Sequence, residues 1–171
     1  NIYGVHLDRK STMTQVDQLT DELRSNNVEV VFNNVSATDS SKRKEIIKHL
    51  ISIKANVKVV MHSLAFGALR PVLDKENSLS QKQVEMTMDV MANSIVYWVQ
   101  DLFNNKLLQS GGHIFAMTSS GGHRQWKSYG AVSAAKASLE SYCRQLAFEL
   151  SEHNISSNAI QAGVTDTPAL R

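Results

Sequence analysis

The stretch Tyr129-Gly-Ala-Val-Ser-Ala-Ala-Lys136 begins a long helical pattern and comes shortly after a strand-like run that ends at Thr118-Ser119-Ser120. Tyr129 and Lys136 are seven residues apart, and at about 100° per residue they lie only about 20° from a common helix face. Their phenol and ammonium groups can therefore point into the same cavity, with Ser119 at its edge. Because the unperturbed pKa of a phenol is about 10, it needs a nearby cation to donate a proton or hold an oxyanion near neutral pH.

This constellation resembles the short-chain dehydrogenase/reductase family, and within it the enoyl-acyl carrier protein reductases. Most members of the family place the tyrosine four residues before the lysine, where this chain has Val132. The enoyl reductases have six residues between the two, as this chain does. Moving the tyrosine three residues earlier shifts it about 4.5 Å along the helix axis. We connect this shift with the position of the carbon that accepts the hydride. In an enoyl thioester this is the β-carbon, which lies two bonds from the carbonyl carbon.

The resemblance implies catalytic roles for three residues. Tyr129 matches the tyrosine that hydrogen-bonds the thioester carbonyl and stabilises the enolate, and Lys136 matches the lysine that holds the nicotinamide ribose. Ser119 matches the serine position of the family, where it either hydrogen-bonds the substrate or satisfies the end of a strand. Met91 occupies the place of the family's helix asparagine, and a thioether cannot relay a proton. This difference favours an enoyl reductase over a ketoreductase.

A second motif, His62-Ser63-Leu64-Ala65-Phe66-Gly67, resembles the enoyl reductase sequence that replaces Asn-Asn-Ala-Gly of most family members. Small residues at the carboxyl end of a strand let the backbone approach the adenosine half of a dinucleotide. The resemblance therefore implies cofactor contacts from His62, Ser63, Leu64 and Ala65. His62 itself is interpreted as either structural or adjacent to the cofactor.

Asp8, at the end of the first predicted strand, is expected to bind the adenosine ribose hydroxyls and repel a 2′-phosphate, which favours NAD. Arg9 could instead hold that phosphate, so NADH is favoured and NADPH stays open. Asn34 and Val35 match the family position that borders adenine. A later segment, 161–167, matches the stretch whose backbone reads the nicotinamide carboxamide, and its cofactor-binding candidates are Gly163, Val164 and Thr167.

The composition favours one globular domain with a sizeable core. Apolar residues make up 42% of the 171, and the net charge is only +2. The single cysteine, Cys143, excludes a disulfide within the chain and favours a reducing cytoplasm. The basic run 42–44 has no aromatic platform beside it, so we expect no nucleic-acid partner. We also expect no membrane association and no metal, because the sequence shows neither a run of spanning length nor metal-ligand spacing.

Strand and helix patterns alternate along the chain. Continuous β-branched strands between helices are typical of a parallel sheet covered on both faces. The sequence therefore predicts an α/β, Rossmann-like doubly wound fold. The predicted strands are 2–7, 28–32, 57–61, 114–117 and 155–160, and the predicted helices are 14–25, 40–53, 79–108 and 127–152.

The ends of the chain do not match the whole family fold. The glycine-rich turn that brings the backbone to the pyrophosphate is missing, and the only early glycine, Gly4, lies inside a strand pattern. Residues 1–171 are interpreted as a single dinucleotide-binding domain that begins at the second family strand and lacks the C-terminal helix and strand. Either the sequence omits the ends or it is a fragment. The first is favoured, because a sheet without its central strand would expose long apolar edges.

The sequence thus predicts an oxidoreductase of fatty acid synthesis. It would transfer hydride from NAD(P)H to the β-carbon of an enoyl thioester on acyl carrier protein or coenzyme A. The resemblance further implies a cytoplasmic homotetramer or homodimer paired through the two long helices. The alternatives are a dienoyl thioester reductase, a ketoreductase, or a cofactor-binding relative without turnover.

Overall fold

The computed structural model describes residues 1–163, whose strands pair in parallel and alternate with helices. This confirms the predicted α/β, Rossmann-like fold. The strands are β1 (Ile2–His6), β2 (Val30–Asn34), β3 (Val57–His62), β4 (Leu108–Ser119) and β5 (Ser156–Ala162). The helices are α1 (Met13–Ser25), α2 (Ser40–Ser52), α3 (Gln81–Met88), α4 (Ser94–Asn104) and α5 (Gly130–Leu150).

The strands form two sheets, ordered β1-β2 and β3-β4-β5, where the sequence predicted one. The strand order of a dinucleotide-binding fold is 3-2-1-4-5-6. Strands 3-2 of that order correspond to β2-β1, and strands 4-5-6 correspond to β3-β4-β5.

The chain divides into two compact units, Asn1–Ile46 and the remainder from Ile47 onwards. In the N-terminal unit, β1 and β2 pair from Ile2 opposite Val30 to His6 opposite Asn34. Helix α1 contains no fully buried residue. The side chains of α1 therefore stay within reach of solvent, whereas Val30 of β2 is only 3% exposed.

The core of the C-terminal unit lies where the helices pack on the β3-β4-β5 sheet. Ile114 of β4, Ile95 of α4 and Leu139 of α5 are all completely buried. Burying a side chain of this size is worth about 1.5–3 kcal/mol. Nine residues of α5 are buried, so this helix is the main support of the sheet.

The long helix predicted over 79–108 is found as a continuous helical run from Gln81 to Asn104, in which a π-helical turn, Asp89–Asn93, lies between α3 and α4. Helix α3 begins at a capping box formed by Ser80 and Gln83. The Ser94 hydroxyl donates to the Val90 carbonyl at 2.7 Å, in the turn that precedes α4. Strand β4 begins at Leu108, earlier than predicted, because Leu108 already pairs with Val57 of β3. The register then shifts before His113 pairs with Val59, and Gly111, with φ of 78°, lies in the shifted stretch.

Two other predicted boundaries were displaced by residues with left-handed backbone. Asn27, with φ of 60°, delays β2 to Val30, and Ser128, with φ of 64°, delays α5 to Gly130. Asn and Ser tolerate this conformation better than β-branched residues do. Within residues 1–163, no helix has the length and apolar character needed to span a membrane.

Candidate active site

Lys136 is held at the carboxyl ends of two neighbouring strands. Its ammonium donates to the Met117 carbonyl of β4 at 2.7 Å and, at a longer 3.5 Å, to the Leu64 carbonyl just after β3. The side chain is only 6% exposed, and burial lowers the pKa of its ammonium. Ligands bind at this edge of open parallel sheets. A buried cation at this place therefore marks the candidate site.

Tyr129 stands at the N-cap of α5, with φ of −100° and ψ of 3°. Tyr129 lies just outside the helix. The seven-residue spacing between Tyr129 and Lys136 is therefore measured from the N-cap and not from a residue within the helix. Its ring meets the edge of Trp126, with centroids 5.5 Å apart and planes at 89°. The ring is half-buried.

Gly121 is the point at which the Tyr129 ring and the Ser119 hydroxyl come together. A Cβ on Gly121 would lie 2.4 Å from Tyr129 Cε1, 3.1 Å from Ser119 Oγ and 3.2 Å from Trp126. Any larger residue would push the tyrosine ring away. The structure thus brings two of the three predicted catalytic residues to one glycine.

The Ser119 side chain caps a turn of 3-10 helix, Ser120–Gly122. Its oxygen accepts a hydrogen bond from the Gly121 amide at 3.2 Å. Of the two roles left open by the sequence, the structure displays the capping of the strand end. A hydrogen bond to substrate remains a prediction, for which the hydroxyl proton is still available.

His62 is a buried neutral side chain at the end of β3. Its Nε2 lies 2.8 Å from Ser94 Oγ, and because the Ser94 hydroxyl donates to Val90, Nε2–H must be the donor in this contact. Among the described residues, Nδ1 has no hydrogen-bond partner. Burial, and then the charge of Lys136, lower the pKa of His62 to about 4. His62 is therefore neutral near pH 7 and unsuited to proton donation there.

The segment after His62 crosses close to the helices. A Cβ on Gly67 would lie 2.7 Å from Val132, 2.8 Å from the Met91 sulfur and 2.9 Å from Thr87. Val132, the usual tyrosine position of the family, is 5% exposed and packs against this segment. A tyrosine at 132 would therefore overfill the core. Ser63 and Ala65 are exposed and Leu64 is half-buried.

The π-helical turn contains Met91, which the sequence singled out, and Asn93. Met91 is 2% exposed and packs in the core. Asn93 accepts a hydrogen bond from the Tyr142 hydroxyl of α5 at 3.1 Å. Asn93 is thus directed at α5.

Sequence reasoning missed a polar cluster on the buried face of α5. Glu140 accepts from the Thr118 hydroxyl at 2.6 Å, and its other oxygen lies 3.0 Å from His123 Nε2. A signal was present, because Glu140 lies one turn after Lys136 and shares its helix face. Cys143, one turn further, is buried, and burial raises the pKa of its thiol. This agrees with the prediction that Cys143 packs rather than reacts.

In the N-terminal unit, the cofactor candidates of β1 and β2 come together. The Asp8 amide donates to Asn34 Oδ1 at 2.9 Å, and Asn34 Nδ2 donates to the Asp8 carbonyl at 3.0 Å. The Asp8 carboxylate contacts His6 at 2.7 Å and accepts from Thr12 at 2.9 Å, and these two bonds lower its pKa. Its side chain stays 34% exposed. Asp8 therefore presents an ionised carboxylate to solvent.

The remaining candidates are placed as follows. Arg9 is exposed, and the Val35 amide donates to the His6 carbonyl at 2.7 Å. Gly163 is exposed just after β5. Val164 and Thr167 lie outside the described residues.

The two long helices, through which the resemblance implies subunit pairing, use much of their apolar surface within the chain. Leu102, Leu139 and Leu146 are buried in the core of the C-terminal unit, whereas Phe148 on α5 is 78% exposed.

Comparison with known proteins gives a consistent picture. The family model described as enoyl-(acyl carrier protein) reductase matches residues 1–171. The chain is 31% identical over 149 residues to an enoyl-(acyl-carrier-protein) reductase (NADH) of Rickettsia conorii, covering 82% of this chain and 55% of that protein. It is 32% identical over 108 residues to an enoyl-(acyl-carrier-protein) reductase (NADPH) of Staphylococcus aureus, covering 63% of this chain and 41% of that protein. The chain thus spans about half the length of these curated relatives.

Solved structures agree on the fold. The enoyl-(acyl-carrier-protein) reductase (NADH) of Aquifex aeolicus superposes with a TM-score of 0.80 at 23% identity, over 96% of this chain and 63% of that chain. The Anaplasma phagocytophilum reductase in complex with NAD gives a TM-score of 0.79 at 22% identity, over 95% of this chain and 60% of that chain.

Proposed function

The chain belongs to the enoyl-(acyl carrier protein) reductase family, and we propose that the protein is an NAD(P)H-dependent reductase of enoyl thioesters in fatty acid synthesis. The thioester is carried by acyl carrier protein or coenzyme A. The observation that carries the proposal is the buried Lys136 ammonium at the ends of β3 and β4, seven residues after Tyr129. A buried cation is costly and is retained where its charge is used.

The residues present suit a nicotinamide dinucleotide. The Lys136 ammonium has three N–H donors, and the Met117 and Leu64 carbonyls accept from two of them. The third donor is left for a ribose hydroxyl. The exposed, ionised Asp8 suits the adenosine ribose and opposes a 2′-phosphate, so NADH is the favoured cofactor and NADPH a possible one. Relatives of both kinds match the chain.

The bound cofactor supplies hydride to the β-carbon of the enoyl thioester. Tyr129 donates a hydrogen bond to the thioester carbonyl and stabilises the negative charge that develops on its oxygen. Lys136 contributes positive charge in a poorly solvated place, where electrostatic effects are strong. Ser119 supports the substrate side, and water supplies the α proton.

The proposal extends to the assembly and its location. We expect a cytoplasmic homodimer or homotetramer that pairs through α4 and α5. The exposed Phe148 on α5 supports such pairing.

The test uses the purified protein with NADH or NADPH and a trans-2-enoyl thioester, and follows oxidation of the nicotinamide. We expect thioester-dependent oxidation that falls by roughly 10²–10³-fold in Tyr129→Phe, the loss typical of removing one oxyanion donor. Tyr142→Phe is the matched control. It also removes a tyrosine hydroxyl from α5, but this hydroxyl donates to Asn93. Its turnover should stay close to the parent's.

Two outcomes would contradict the proposal. One is oxidation that depends on a β-ketoacyl thioester and ignores the enoyl thioester, which would indicate a ketoreductase. The other is NADH binding with no reduction of any thioester, which would indicate a cofactor-binding relative without turnover.

A further inference from the structure

The turn Gly121–His123 packs against the Tyr129 ring and contacts α5 at two places. Gly121 lies against Tyr129 Cε1, and its carbonyl accepts from the Ser133 hydroxyl at 2.5 Å. His123 reaches Glu140 two turns further along the helix. The position of the tyrosine ring therefore depends on how firmly this turn is held.

Glu140 divides its two carboxylate oxygens between two segments. Oε1 accepts from Thr118, the β4 residue beside the Lys136 acceptor Met117, and Oε2 faces His123 of the turn. The Glu140 side chain is 10% exposed, whereas that of His123 is 64% exposed. A Cβ on Gly122 would lie 2.9 Å from Glu140 Oε1, so the turn also packs directly on the carboxylate.

We propose that Glu140 and His123 are positioning residues that set the Tyr129 ring by clamping the Gly121–His123 turn to β4 and α5. The inference rests on the proposed function for its catalytic consequence, since it assigns the clamp to the tyrosine that would stabilise the enolate. A buried carboxylate with one partner removed is strongly unfavourable. Loss of His123 therefore loosens the turn, while Thr118 still holds Glu140 in place.

The clamp is ionic only when His123 carries a proton. Histidine is the side chain whose charge ordinarily changes near neutrality. The other charged or titratable groups around the pair are Lys136 and Arg144, one turn to either side of Glu140 on α5, the neighbouring Cys143 thiol, and the exposed Arg124. The geometry of the clamp is therefore tested by replacing its members, one at a time.

The experiment labels the four tyrosines with 3-fluorotyrosine and follows the Tyr129 ¹⁹F resonance, assigned with Tyr129→Phe. The chemical shift of this resonance reports the surroundings of the Tyr129 ring. In His123→Gln the resonance should move from its position in the parent, and kcat for the enoyl thioester should fall about tenfold with an unchanged KM for NADH, well inside the ~10² that a 1 Å misplacement can cost. His113→Gln is the matched control, because this exposed histidine binds Ser156 instead.

Glu140→Gln provides the second variant. An amide keeps an acceptor for Thr118 but removes the charge, so this variant should also move the Tyr129 resonance. A Tyr129 resonance that keeps the parent's position in both variants would overturn the proposal. If the parent reduces no thioester, the proposed function fails, and the resonance still decides whether the clamp positions the ring.

Discussion

Each of the two units contains a histidine paired with a carboxylate, and the two pairs are exposed in opposite ways. In the N-terminal unit, His6 is 20% and Asp8 34% exposed, so solvent and ligands reach the carboxylate. In the C-terminal unit, Glu140 is 10% and His123 64% exposed, so the carboxylate is hidden behind the histidine. The same chemical pair therefore presents its carboxylate to solvent in one place and encloses it in the other.

The contrast extends to the elements that carry the pairs. Helix α1 of the N-terminal unit buries no residue, whereas α5 buries nine, among them Lys136 and Glu140. Charges on α5 act in a poorly solvated environment, where their effects are larger and their loss is more costly. Charges near Asp8 are screened by water and tune binding only modestly.

The largest expected difference between the units is in packing. Leu139→Ala removes a completely buried side chain and should lower the free energy of unfolding by about 2–5 kcal/mol. Leu19→Ala, the same change on α1 where the side chain is 48% exposed, should cost less than about 1 kcal/mol. Urea unfolding of both variants measures the difference. If both variants lost the same free energy of unfolding, the two helices would not differ in packing as described.

The next effect concerns the buried His62. Its pKa falls from 6.5 to about 4 on folding, so between these values the unfolded chain binds a proton that the folded chain does not. Stability is therefore complete above pH 6.5 and should decline by roughly 3 kcal/mol as the pH falls to about 4. Unfolding measured across this range should lose that component in His62→Gln. If the free energy of unfolding depends on pH in the variant as it does in the parent, the decline belongs to other groups.

The smallest expected effect is at Asp8. Asp8→Asn removes the exposed charge that opposes a 2′-phosphate, so the preference for NADH over NADPH should fall several-fold. Steady-state kinetics with both cofactors measure it. Asp17→Asn on α1 removes an equally accessible charge and serves as control. A preference that shifts equally in both variants would point to net charge rather than to the position of Asp8.

Local patterns in the sequence predicted the element types well. The apolar strands and the helix that follows Tyr129 could be recognised because each buries a continuous face. The π-helical turn could not, since it depends on Ser94 bonding Val90 and reaching His62, which is distant in sequence. The early start of β4 was missed because Gly111 and Gly112 are typical of turns.

The candidate site shows the same division. Tyr129, Lys136 and Ser119 were predicted from spacing and from resemblance to a family, and Tyr129 and Ser119 meet at Gly121. The Glu140 contacts were missed because His123 and Thr118 approach it only after β4 and α5 pack together. Packing also disfavours a tyrosine at Val132, because Gly67 leaves no room for it.

The parallel pairing of the strands has a consequence for how the chain folds during synthesis. Val60 pairs with Ile114, and Ile114 pairs with Ser157, so each pairing must wait for a long crossover to be made. At about 5–20 residues per second, the ribosome takes several seconds to deliver each next strand. Strand β3, with its exposed Val59 and Met61, spends that interval without β4 beside it. Apolar surface and strand edges that are exposed during synthesis favour aggregation.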